Sequence, residues 1–104
     1  MSRTVAGLMS LTLFAVLANA ASAADVQQGE ILAKRWCASC HVVASDQQSG
    51  NTQAPPFSEI GKRGGLDAAK VALFLLLPHP KMPDMSLSRN EAADLAAYIE
   101  SQAK

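Results

Sequence analysis

The five residues Cys37-Ala38-Ser39-Cys40-His41 constrain this chain more than any other stretch, because they hold both of its cysteines and one of its two histidines. On a helical turn, positions i, i+3 and i+4 share a face. Two thiols and an imidazole can therefore point at a single planar ligand from one side. The rest of the sequence has to build a fold around that turn.

Several chemistries use parts of this pattern. A C-x-x-C redox pair normally sits near a βαβ unit, and the chain shows no convincing run of alternating strand residues. A structural zinc site needs four ligands, and beyond the triplet only His79 is left as a good nitrogen or sulfur donor. Exported proteins oxidise their thiols, but a disulfide across so short a loop adds little stability by the loop-entropy argument. The full pattern C-x-x-C-H is the attachment signature of c-type haem. There, two thiols add across two vinyl groups and the imidazole reaches the iron.

The N-terminus points to export, which agrees with that chemistry. After Arg3 no charged residue occurs until Asp25, and Val5 to Ala18 is dominated by apolar side chains. A positive start, an apolar run and the small residues Ala21-Ser22-Ala23 make the pattern of a secretory signal peptide. Residues 1–23 are expected to be removed, leaving a domain of residues 24–104, with cleavage after Ala20 or Ala24 also open. The uncharged stretch from Thr4 to Ala24 is near the length of a bilayer span. Asn19 and the Ala/Ser cluster argue against a retained anchor.

A domain of about 81 residues buries a limited share of its surface and usually needs a disulfide, metal or cofactor to be comfortably stable. From Asp25 onward eight Lys/Arg face nine Asp/Glu. There is no basic stripe, so nucleic acid is not an expected partner.

Helical patterns account for most of the remainder. Asp25 with Gln28 resembles a capping box, and Gly29, Leu32, Ala33 and Trp36 follow at i, i+3, i+4 and i+7, which predicts an amphipathic helix over 25–36 with that face buried. Residues 42–53 are polar and read as a surface loop. Ala54-Pro55-Pro56-Phe57 precedes a short helix over about 57–62, ended by Gly64-Gly65. Asp67 is placed to cap a helix over 68–77 so apolar that burial on more than one side is expected. Pro78, Pro80 and Pro83 stop it and hold 78–83 extended. Ser88-Arg89-Asn90-Glu91 is a capping box ahead of a last helix, with Ala92, Leu95, Ala96 and Ile99 on one face and Tyr98 beside it.

Taken together, Gly29, the Cys37–His41 motif, Ala54-Pro55-Pro56-Phe57, Met82-Pro83, and Leu95 with Tyr98 resemble the class I cytochrome c family over essentially the whole chain after the leader. The resemblance implies an all-α cytochrome c fold, with N- and C-terminal helices crossing at Gly29 against Leu95 and Tyr98. Ala33 departs from the family, which often has an aromatic there, so lighter packing or compensation by Trp36 is expected. The resemblance also implies one haem c bound through Cys37 and Cys40, with His41 and Met82 as axial ligands. Met85 and His79 compete for the sixth position, and Met85 is otherwise an apolar cover for the haem face. Pro55, or else Pro56, would accept a hydrogen bond from the His41 imidazole.

The implied function is periplasmic electron transfer rather than enzyme catalysis, between membrane or periplasmic redox proteins, as a monomer. A haem-bearing subunit of a dehydrogenase or oxidase complex is the alternative. An open sixth position would instead suit gas binding or peroxidase-like chemistry. Because the cofactor completes an undersized core, the chain without it is expected to be largely unfolded.

Overall fold

Asp25 starts the first helix by accepting hydrogen bonds from the backbone N–H groups of Gln27 and Gln28. In the computed structural model, which describes residues 23–48, 54–78 and 80–103, this helix α1 runs Val26–Trp36. The return bond of a capping box does not come from Gln28. The Asp25 N–H instead donates to the carboxylate of Asp94, 2.7 Å away on the last helix. A local signal has thus become a tertiary one.

Three more helices follow: α2 at Phe57–Ile60, α3 at Ala68–Leu76 and α4 at Arg89–Ser101. No strand occurs among the described residues. Asp67 caps α3 through the Lys70 N–H, and the Glu100 carboxylate on α4 accepts from the Ala68 N–H, placing an anion at the positive end of α3. Leu77 leaves the helix in an extended conformation, as the residue before Pro78 must. Ser88 and Glu91 form the complete capping box expected for α4. Such caps contribute about 1 kcal/mol each.

α4 is the organising element. It packs against α1, α2 and α3, which make no helix–helix contacts with one another. Its residues Ala92, Leu95, Ala96, Tyr98 and Ile99 are buried, as their spacing predicts. The crossing with α1 is backbone-close: a Cβ placed on Gly29 would lie 2.0 Å from the Asp94 carbonyl oxygen and 2.8 Å from Tyr98 Cβ. The expected glycine crossing is there, but Gly29 meets the Asp94 backbone and Tyr98, with Leu95 not among its nearest neighbours. Gly61 serves α2 in the same way, since a Cβ there would come within 2.8 Å of both the Ile99 carbonyl and Ala103 Cβ. It also ends α2 two residues before the predicted limit.

Other expectations are corrected. Trp36 does not join the buried face of α1: it is 47% exposed, while Ala33 is fully buried in the core cluster. On α3 only Val71 is buried, and Leu73, Phe74, Leu76 and Leu77 are exposed. The short helix packs one face, through Ala68, Val71, Ala72 and Leu75, onto the core cluster and offers the rest elsewhere. Residues 78–83 are not simply extended, because Lys81 takes a left-handed φ of 73°. Val43, inside the predicted surface loop, is buried. Residues 1–22, within the expected leader, and His79 lie outside the described residues.

Candidate cofactor site

α1 delivers the motif. Its last turn runs on through backbone bonds from the Cys37 and Ala38 N–H groups to the Ala33 carbonyl, then from the Cys40 and His41 N–H groups to the Cys37 carbonyl. Cys37 is buried and Cys40 exposed, and the two form no disulfide. Burial, with a smaller contribution from Cys40, pushes the Cys37 thiol up to about 11, so it is protonated at neutral pH.

Both cysteines and His41 line one cavity of about 550 Å³. Across the chain, Ala54 and Pro55 border it before α2, and Phe57 and Ile60 on α2. Val71, Phe74 and Leu75 come from α3, Leu95 and Ile99 from α4, and Met82 and Met85 from the loop between those helices. Trp36 lines it as well, which accounts for its place outside the core. So does Phe74, which explains part of the exposure on α3. The cavity is of ligand-binding size and occupies what would otherwise be the centre of an undersized core. The largest fully buried side chains are only Leu95 and Val43.

His41 is held on one side by Pro55, whose carbonyl oxygen lies 2.6 Å from Nδ1. A carbonyl can only accept, so Nδ1 carries a proton, which leaves Nε2 as the nitrogen to face a metal. Of the doubled prolines it is Pro55, not Pro56, whose carbonyl reaches the ring; the Pro56 carbonyl instead accepts from Glu59 and Ile60 at the start of α2. The Phe57 ring stands 5.4 Å from the imidazole and 6.2 Å from the Tyr98 ring, linking the turn to α4. The Tyr98 hydroxyl donates to the Val43 carbonyl at 2.7 Å. Burial raises its pKa above the usual phenol value, with the carboxylates of Glu30 and Asp46 acting in the same direction and Lys34 opposing them.

The donor set fits haem c: two thiols spaced for two vinyl groups, an imidazole on the same turn, a thioether on the far loop, and aromatic and aliphatic walls between. The residues that sequence reasoning did not single out are the cations Arg63, Lys70 and Lys81, which reach the cavity without an acidic counterpart among its lining residues. Gln47, which bonds the backbone around the motif, was equally hidden. A glutamine in a polar stretch carries no local pattern that could have marked it. No group of three or more His, Cys, Asp or Glu able to hold a bare metal ion occurs among the described residues.

Comparison with known proteins agrees with this geometry. The Cytochrome c family model matches residues 26–103. Cytochrome c-552 of Bradyrhizobium diazoefficiens is 48% identical over 95 residues, covering 91% of each chain. No solved structure gives a significant match. With its helices, thiol pair and imidazole arranged around one apolar cavity, and with a family match spanning all four helices, the chain belongs to the cytochrome c family and carries haem c.

Proposed function

We propose that the chain is an exported electron carrier that works in the periplasm, with residues 1–23 removed as a signal peptide and residues 24–104 forming a monohaem domain. Cys37 and Cys40 would hold the haem by thioether bonds, and His41 and Met82 would ligate its iron. The group supplies a single-electron couple between Fe(II) and Fe(III). Its partners are membrane or periplasmic redox proteins that donate and accept that electron, with no nucleic acid among them.

The observation that carries this reading is that His41 and Met82, from chain segments on either side of α3, border the same cavity as the two thiols. The protein's own part is positional. Pro55 keeps the imidazole protonated at Nδ1 and oriented, which fixes the ligand tautomer. Phe57, Val71, Phe74, Leu75, Leu95 and Ile99 keep water from the iron's surroundings. Dryness and a thioether ligand both favour the reduced state. Rigid ligands on both sides keep the rearrangement between oxidation states small.

Among the described residues no helix is long and apolar enough to cross a membrane. The deciding experiment is an optical spectrum of the purified protein, oxidised and reduced, with its intact mass. A mass raised by one haem, a low-spin spectrum and a weak far-red iron–methionine band are expected. A colourless protein of unmodified mass, expressed alongside working haem-ligation machinery, would overturn the proposal.

A further inference from the structure

Gln47 makes an unusual set of contacts for a side chain in a polar loop. Its Oε1 accepts from the Val43 N–H at 2.8 Å. Its Nε2 donates to two carbonyls, that of His41 at 2.9 Å and that of Ala38 at 3.1 Å. All three partners belong to the backbone of the motif and the residues just after it. One amide therefore spans the turn from Ala38, between the two cysteines, to Val43, two residues past the histidine. A glutamine suits this because it offers an acceptor and two donors at one planar end.

The same backbone is gripped from other directions. The Phe57 N–H donates to the Val42 carbonyl at 3.0 Å, and the Tyr98 hydroxyl to the Val43 carbonyl at 2.7 Å. Residues 41–43 are thus fixed by Gln47 from their own loop, by Phe57 from the segment carrying Pro55, and by Tyr98 from α4. The first of these acts on the carbonyl of His41 itself. Without it the His41 carbonyl loses its side-chain tether, and the Nδ1–H to Pro55 bond loses part of its alignment.

We propose that Gln47 is a positioning residue for the axial histidine: through the His41, Ala38 and Val43 backbone it holds the imidazole against the Pro55 carbonyl. This inference rests on His41 being the proximal ligand. The chemical consequence follows from the bond it protects. An imidazole that donates firmly from Nδ1 is a more basic ligand and favours the higher oxidation state, so loosening that bond shifts the couple toward the reduced form.

The test uses haem-loaded protein and two readings: the midpoint potential, and the rate at which the His41 Nδ1–H of the reduced protein exchanges with solvent deuterium by NMR. Gln47→Leu removes every hydrogen bond of the amide at nearly constant volume. It is expected to raise the potential and to speed exchange at least tenfold, while Gln48→Leu, on the exposed neighbour, changes neither. Should Gln47→Leu yield too little loaded protein, Gln47→Met decides. It likewise lacks the amide at similar volume and adds no charge, so the same two shifts are required. A wild-type spectrum with histidine ligation and a variant in which neither reading moves would overturn the role of Gln47 alone. A wild-type protein without that ligation would overturn the ligand assignment beneath it.

Discussion

Replacing Gly29 with alanine adds one methyl group at the point where α1 and α4 touch, and the structure gives its size in energy. The new Cβ would stand 2.0 Å from the Asp94 carbonyl oxygen and 2.7 Å from its carbon, where real Cβ atoms essentially never come under 3.0 Å. The obstacle is backbone, so no rotamer change relieves it, and the helices must part by about 1 Å in an interior packed like a crystal. Overpacking ordinarily costs about 1–3 kcal/mol, and a backbone obstacle puts this site at the upper end. Alanine returns about 1 kcal/mol of helix propensity. The expected net loss is about 2 kcal/mol, which for a domain of this size lowers Tm by about 8–16 °C.

The assay is denaturant unfolding of the haem-loaded protein followed by far-UV circular dichroism, with Gly64→Ala as the companion. Gly64 has nothing within 4 Å of an added Cβ, so that variant should stay within about 0.5 kcal/mol of the parent. A Gly29→Ala protein as stable as the parent, or more so, would refute the close crossing.

Tyr98→Phe leaves the buried Val43 carbonyl without the phenol's hydrogen bond and should cost about 1–2 kcal/mol in the same assay. Because the folded-state pKa of Tyr98 is raised, the stability it contributes is fully present below the ordinary phenol value of about 10 and lost as pH rises through the folded value. Midpoints measured from pH 7 to pH 11 should therefore show an alkaline decline in the parent that is smaller in the variant. Met82→Ala should abolish the far-red band and let the ferrous protein bind CO rapidly, while Met85→Ala keeps the band; the reverse result would exchange their roles. A Cys37→Ala/Cys40→Ala protein made without haem should show little helical signal by circular dichroism, and a well-folded spectrum would contradict the idea that the cofactor completes the core.

Legibility in the sequence followed the range of the interactions. The caps of α3 and α4 were visible because Asp67 and Ser88-Glu91 act within one turn of themselves. The buried face of α4 was visible because four apolar residues share one helical side, with Tyr98 beside them. Gly29 stood out as a residue with a helix cost needing a reason. What failed to show depended on residues distant in sequence. Asp94 takes the place of Gln28 at the start of α1. Trp36 and Phe74 turn to a cavity instead of a protein core, and apolarity alone does not separate those two fates. Gln47 and Gly61 act on backbone brought near only by folding.

The pairing of Pro55 with His41 came from family resemblance, and its bond length from the fold.

The dominance of α4 has a consequence for how the molecule is born. Since α1, α2 and α3 meet only through α4, everything from α1 to α3 leaves the ribosome before any of those helices finds its partner. Larger proteins often fold N-terminal parts first during synthesis; here that route is closed. The nascent polypeptide stays pliable until α4 is complete, a condition suited to a chain that must be stitched to its pigment.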